Sequence, residues 1–303
     1  FVPVEATDGG VERVSIREPA PVGQHVRRRA GDVQRGRTVL AGDGRVLSPG
    51  RVALAAASGV CEVVVGARPR VAVVSTGDEL VPVGQVPGEG QIVDSNSLML
   101  ALLVTAAGAE VAVRTSARDD EASVSATLAE AGDTADLVIT TGGVSMGAYD
   151  TVKQVLSSSG AGRFSKVAMR PGMPQGSGRV GSRGTPVITL PGNPVSALVS
   201  FHVFVLPALA ALGGASVDAS RWPDPLGRGT EAVAGEEWPS AAHKVELTRV
   251  RVDERRICRS GGQGSHMLGA LAEATHLAVV PAEVERVHVG DVLLCLPLLG
   301  TVP

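Results

Sequence analysis

Between residues 70 and 212 short apolar runs alternate with helical patterns, and this rhythm limits the possible folds more than any other feature of the chain. The runs at 71–75, 110–113, 136–140, 164–168 and 186–190 have the length of strands. The stretches 96–107, 120–131, 151–157 and 195–212 have the length of helices, each beginning near a polar residue. Strand, helix and strand in succession make βαβ units, whose strands run parallel beneath helices on both faces. The predicted fold class is therefore α/β: a central, open, mostly parallel sheet domain over residues 69–214. A β-rich segment at 1–68 and a small β-barrel-like domain at 226–303 flank it.

The flanks read differently. Residues 11–16, 23–27 and 36–40 are short β-prone segments broken by Gly and Pro. Ser48 followed by Pro49 is a good start for a helix over 51–57, and a short strand is expected at 61–65. Residues 215–225 are small and proline-bearing, which suits a linker, and 244–252, 277–281 and 291–296 read as strands of the last domain. Aromatic residues make up only 2%, so cores must be built from Val, Leu and Ala, and stacking of nucleic-acid bases is disfavoured. A net charge of −3 supplies no overall basic field. No nucleic-acid or membrane partner is expected. The most apolar stretch, 197–212, falls short of the roughly 18 residues of a span and contains His202 and Pro207, so it reads as a core helix. Cys61, Cys258 and Cys295 are too scattered for a disulfide framework or zinc site, which suits a reducing cytoplasm, and each is expected buried in a strand.

In open parallel sheets, ligands collect beyond the carboxyl ends of the strands, where helix N-termini present free N–H groups. Three strand exits are glycine-bearing and polar: Thr76, Gly77 and Asp78 after the first; Gly142, Gly143 and Ser145 after the third; Pro191, Gly192, Asn193 and Ser196 after the fifth. Glycine lets backbone approach a ligand, and hydroxyl and amide groups bond phosphate or heterocycle edges. A lone loop of this kind is more often an ordinary turn, whereas three on one rim favour an anionic ligand. Asp78, Glu79, Asp94, Asp119, Asp120 and Asp150 lie near that rim and suit Mg²⁺, although Asp119, Asp120 and Asp150 equally suit helix caps. Lys166 and Arg170 bring positive charge to the fourth strand exit. His202 reads as a core histidine, and His266 as a turn residue or a ligand contact.

The runs STGDELV (75–81), GQIVDSN (90–96), TTGGVSMGAYD (140–150), VAMRPGMP (167–174) and LPGNPVSA (190–197) strongly resemble the MoeA and gephyrin E-domain family. VRRRAGDVQRGRTVL (26–40) and GGQGSHMLGALAEA (261–274) extend the resemblance over nearly the whole chain. The resemblance implies ligation of molybdate to adenylylated molybdopterin with Mg²⁺ assistance and release of AMP, in a homodimer whose site lies at the subunit cleft. By the same resemblance Glu79, one of Asp119 or Asp120, and Asp150 are the catalytic and metal-binding carboxylates, Lys166 and Arg170 the cations, and Ser265 the contribution of the last domain. A molybdopterin adenylyltransferase and molybdoenzyme apoproteins are the partners such a role implies. Relatives usually read PGKP where Met173 stands, so one oxyanion-binding cation is expected to be lost, and relatives carry a DGYA-type region that precedes the stretch seen here. The chain is accordingly expected to be a fragment, with reduced or no activity alone. The alternatives are the preceding adenylyltransferase, which is similar to the central domain only, and a non-catalytic scaffold of the gephyrin kind.

Overall fold

The computed structural model describes residues 1–143, 150–160 and 162–300, and the chain divides into two units, Phe1–Val64 and Val65–Pro303. The first unit holds one α-helix, α1 (Pro49–Ala57), begun by Ser48, whose hydroxyl accepts the Arg51 N–H at 3.3 Å. Otherwise it contains a 3-10 turn at Val4–Ala6 and an isolated bridge between Thr7 and Ile16. The β-rich segment expected over 1–68, with its strand at 61–65, is therefore corrected: no strand forms among these residues. Each β-prone piece is short, finds no neighbouring ladder and has no face to bury, and Val11, Val22, Val46 and Val64 stay exposed.

The second unit opens with β1 (Arg70–Thr76), the small pair β2 (Leu80–Val81) and β3 (Ile92–Val93), then α2 (Ser95–Ala106), β4 (Glu110–Ala117), α3 (Glu121–Thr134) and β5 (Leu137–Thr141). It continues through α4 (Thr151–Ser158), β6 (Arg163–Lys166), β7 (Met169–Arg170), β8 (Pro174–Val180) and β9 (Thr185–Leu190). The main sheet has the order β4-β1-β5-β9-β8-β6. Its first four strands are parallel, and β8 and β6 add antiparallel. Alternation sends Val71, Val73, Leu137 and Ile139 into one core and Ala72, Val74 and Val138 into another on the opposite face. Both faces are thus covered, which is why β1 and β5 read as unbroken apolar runs.

One strand expectation is corrected, and one strand went unread. The run expected at 164–168 is the antiparallel edge strand β6, and β8, unread in the sequence, lies between it and β9. Pro-Gln-Gly-Ser-Gly-Arg-Val has little strand propensity; it pairs because Gly176 leaves room for the Phe164 ring and the Thr189 side chain.

After β9 the helix α5 (Pro194–Ser200), a π-helical turn (Phe201–Val205) and α6 (Leu206–Leu212) form one continuous rod. It runs 19 residues, in line with the helix expected over 195–212, and its most apolar 18-residue window has a mean hydropathy of 2.1 and is 72% buried inside the protein. The stretch expected to be a linker is not free: Trp222 stacks on Phe204 at 6.3 Å and packs against the core.

The last part contains β10 (Thr230–Ala234), β11 (Trp238–Pro239), β12 (Val245–Asp253), β13 (Arg256–Arg259), α7 (Leu268–Ala272), β14 (His276–Val280), β15 (Arg286–Val287) and β16 (Val292–Pro297). Strands β12, β13, β10, β16 and β14 pair in a closed ring, giving the expected barrel, and β7 joins its β12 edge in parallel. Trp238, Val250, Ile257 and Cys295 fill its interior. Burial pushes the Cys295 thiol up to about 12, as suits an inert core cysteine. Cys61 and Cys258, by contrast, are exposed rather than buried.

Candidate functional site

The register Ser75 to Thr141 and Thr141 to Leu190 sets the ends of β1, β5 and β9 side by side, so their exit loops rise from one rim. Asn96, in the first turn of α2, ties two of these exits together. Its amide donates to Thr141 Oγ1 at 3.0 Å and to the Gly192 carbonyl at 2.6 Å. Gly142 (φ +90°) and Gly143 (φ +65°) pass so close to Thr76 and Val152 that a Cβ on Gly142 would stand 2.5 Å from the Thr76 carbonyl oxygen. Among the described residues the buried Thr76 hydroxyl beneath them has no hydrogen-bond partner, and neither have those of Thr140 and Thr189. An orphaned hydroxyl under a glycine loop is the kind of group a polar ligand satisfies. Ser145 lies outside the described residues.

The carboxylates divide into distinct roles. Asp119 accepts the Thr151 hydroxyl at 2.6 Å, and its own N–H donates to Asp78 at 3.1 Å, so the loops after β1 and β4 are joined to the start of α4. Asp120 is engaged in its own helix: it accepts the Ser123 N–H at 2.8 Å as N-cap of α3 and pairs with Arg118 at 3.5 Å. Asp94 likewise caps α2 and accepts the Ser75 hydroxyl at 2.7 Å. Glu79 is exposed and folds its carboxylate over Gly77, whose φ of +147° favours glycine. Asp150, at the N-cap of α4, is 4% exposed. Among the described residues no three His, Cys, Asp or Glu side chains gather as a metal cage.

Lys166 ends β6 opposite Pro174. Four strand spacings separate it from β1 in the sheet order, or about 19 Å at ~4.8 Å each, so it is not brought to Asp78 and Asp119 within this chain. Arg170 lies on β7 beside β12, its Nε 4.0 Å from the buried carboxylate of Glu246. Glu246 also accepts the Ala241 N–H at 2.7 Å. The turn after Arg170 is held by Gln175, whose amide donates to the Gly172 carbonyl and to Ser200 Oγ, both at 2.6 Å. Met173 is half-buried and accepts the Val167 N–H through its carbonyl. Pro191 and Ser196 are buried, Gly192 and Asn193 exposed, and Pro194 begins α5 at the rim. Ser265 reaches the same place from the barrel, where its carbonyl accepts the Val195 N–H at 3.1 Å.

His202 is a satisfied core residue. Its Nδ1–H donates to the Leu198 carbonyl at 2.9 Å and its Nε2 accepts the Leu299 N–H at 3.1 Å. Burial, the largest cause, pulls its pKa down to about 4. His266 is exposed. Asn96, Thr151 and Arg249 were not singled out from the sequence. The polar start of α2 and the run GQIVDSN were the signals available for Asn96, while Thr151 and Arg249 acquire their roles only through partners distant in the chain.

The family model described as "Probable molybdopterin binding domain" matches residues 72–211, and "MoeA C-terminal region (domain IV)" matches residues 231–298. Molybdopterin molybdenumtransferase 2 of Mycobacterium tuberculosis is 45% identical over 301 residues, covering 97% of this chain and 72% of the relative. The molybdopterin molybdenumtransferase of Haemophilus influenzae is 34% identical over 314 residues, covering 98% and 76%. The crystal structure of the molybdopterin biosynthesis MoeA protein from Pyrococcus horikoshii superposes with a TM-score of 0.72 at 26% identity, covering 98% of this chain and 71% of that one. With both family models matched and relatives similar along nearly its whole length, the chain belongs to the MoeA family of molybdopterin molybdenumtransferases.

Proposed function

We propose that the chain acts in molybdenum cofactor biosynthesis as a transferase that inserts molybdate into adenylylated molybdopterin with release of AMP. The observation that carries this reading is the junction of Asp78, Asp119 and Thr151 beside the glycine loop at Gly142 and Gly143. Hard carboxylate oxygens stand there next to backbone that a phosphorylated heterocycle can approach. Asp78 and Asp119 fit Mg²⁺, which keeps several waters and takes one or two carboxylates plus substrate phosphates rather than a protein cage. The ion would supply neutralisation of phosphate charge. Asp119 is favoured over Asp120 for this role, because Asp120 already serves as cap. Glu79 and Asp150 complete the acidic side, and Thr76, Gly77, Pro191, Gly192, Asn193, Ser196 and Ser265 line the ligand's path.

Lys166 and Arg170 serve the oxyanion at the far end of that path, and a homodimer would set one protomer's cations beside the other's rim. A molybdopterin adenylyltransferase would supply the substrate and apo-molybdoenzymes would receive the product, all in the cytoplasm. The adenylyltransferase reading is not favoured, since the similarity runs through the barrel as well as the central domain. The test is turnover of adenylylated molybdopterin with and without molybdate. Consumption with AMP release only when molybdate is present supports the reading, and consumption of ATP instead would refute it.

A further inference from the structure

Strands β6 and β8 form a hairpin whose tip lies between the rod and the barrel. Lys166 pairs with Pro174 at its base, and the Val167 N–H donates to the Met173 carbonyl at 2.8 Å, so residues 168–172 lie beyond the ladder. On one side the tip joins the barrel. The Ala168 carbonyl accepts the Val245 N–H at 2.9 Å, β7 pairs with β12, and Met169, 1% exposed, packs in one cluster with barrel leucines. On the other side the tip is tied to the rod by Gln175. Gly176 meets the Phe164 ring on one face of the sheet, and alternation turns Gln175 to the opposite face, towards Ser200 at the end of α5. Its Nε2 donates both to Ser200 Oγ and to the Gly172 carbonyl, and since a carbonyl only accepts, the orientation of the amide is fixed. Gly172 has a φ of +92°, and a Cβ on it would stand 2.9 Å from Ser200 Oγ, so glycine is what lets the tip approach the rod this closely.

This clamp has a cost. Gln175 is 9% exposed, and its Oε1 is buried with no hydrogen-bond partner among the described residues. An unpaired buried acceptor lowers stability, and an apolar side chain of similar length would avoid that loss. A packing rule broken in this way marks a position held for geometry rather than for stability. The geometry it holds is that of Arg170, which lies on the tip between the barrel pairing and Gly172. We propose that Gln175 is a positioning residue: by tying the Gly172 carbonyl to Ser200 it seats the hairpin tip against the rod and so sets where Arg170 presents its charge to the oxyanion. This rests on the assignment of Arg170 to the oxyanion made above.

The test combines amide hydrogen exchange with separate titrations of molybdate and AMP into the chain carrying Gln175→Met, Arg170→Met or both. Methionine keeps the length of the side chain and removes both donors. Gln175→Met is expected to speed exchange at Val167 and Val245 by about tenfold or more, while the amides of β5 and β9 keep their protection. It should weaken molybdate binding about tenfold and leave AMP binding unchanged, because the glycine loop at Gly142 and Gly143 is not touched. The double variant should bind molybdate no more weakly than Arg170→Met alone. Unchanged exchange at Val245 in folded Gln175→Met, equal weakening of molybdate and AMP, or additive losses in the double variant overturns the role. Where Met at this position unfolds the chain, Ser200→Ala is measured instead: faster exchange at Val245 with a loss confined to molybdate supports the role, and unchanged exchange overturns it. If Arg170→Met alone leaves molybdate binding intact, Arg170 leaves the site, whereas the exchange at Val245 still decides whether Gln175 seats the tip.

Discussion

Single side chains in this protein owe their roles to what their second hydrogen-bonding group meets. His202 is the clearest case, since both ring nitrogens are used in the neutral form and protonation would turn Nε2 from acceptor into a donor facing the Leu299 N–H. Its folded pKa of about 4 lies below the ordinary 6.5, so between those values the unfolded chain binds more protons. The stabilisation is complete above pH 6.5 and is lost as pH falls towards 4, a change of about 3 kcal/mol for a shift of this size. Urea denaturation of the chain at pH 7 and pH 4.5 should show this loss, and His202→Gln should be less stable at pH 7 but flatter across that range; an equal slope in the variant would remove His202 as the cause. The neighbouring aspartates differ in the same manner. Asp120→Ala removes a cap and should cost about 1 kcal/mol of stability with little effect on turnover. Asp119→Asn should fold normally and lower molybdate-dependent turnover at least tenfold. Thermal melts and turnover measured on the two variants separate these outcomes, and the reverse pattern would return the site role to Asp120.

At the scale of elements, the parallel strands and the helices between them were legible because each carries a local signal: a doubly buried apolar run for β1 and β5, and a capping aspartate before α2 and α3. Strand β8 was not, because its apolar share is small and its place depends on Phe164 and Thr189 filling the space above Gly176. The short β7 was equally hidden, since two residues, Met169 and Arg170, pair with a strand some 75 positions later. The acidic and glycine-bearing loops could be read, but which aspartate caps and which bridges could not, because Thr151 and Asp78 become neighbours of Asp119 only in the folded sheet. Close element packing also reverses an ordinary expectation for helix glycines. Gly132 sits within α3, where Ala would normally add about 1 kcal/mol. A Cβ there would stand 2.7 Å from the Val180 carbonyl oxygen, which is backbone and cannot swing aside. Gly132→Ala should therefore destabilise by about 1–2 kcal/mol through overpacking. Gly50→Ala in α1, with nothing nearer than 4.0 Å, should be neutral or stabilising. Denaturant midpoints of the two variants check this, and a gain of stability for Gly132→Ala would mean that β8 and α3 yield to each other.

For the molecule as a whole, the sequence suggests a central domain, a linker and an independent barrel, and the two family models likewise match separate stretches. The barrel keeps an interior core of its own, yet a second cluster is shared between it and the central domain. Leu247, Leu271, Leu277, Leu296 and Leu298 of the barrel belong to the same buried cluster as Val73 and Leu100 of the central sheet and Phe201 of the long apolar helix. The Leu299 N–H donates to His202 on that helix, Trp222 covers Phe204, and β7 leaves the central domain to pair with β12. Such sharing has no local sequence signature, because a leucine facing the barrel interior and one facing a neighbouring helix look alike in an alternating strand. Its thermodynamic consequence is that neither part can expose its half of the cluster without loss to the other: each fully buried Leu is worth about 1.5–3 kcal/mol, of the same order as the marginal stability of a domain when several are removed together. Residues 65–303 should therefore melt in one calorimetric transition, and a chain ended at residue 225 should lose cooperative unfolding and expose apolar surface to a hydrophobic dye. Two resolved transitions, with the shortened chain melting where the first one did, would mean that the barrel only rests on the central domain and that the contact between Ser265 and Val195 opens without cost to either core.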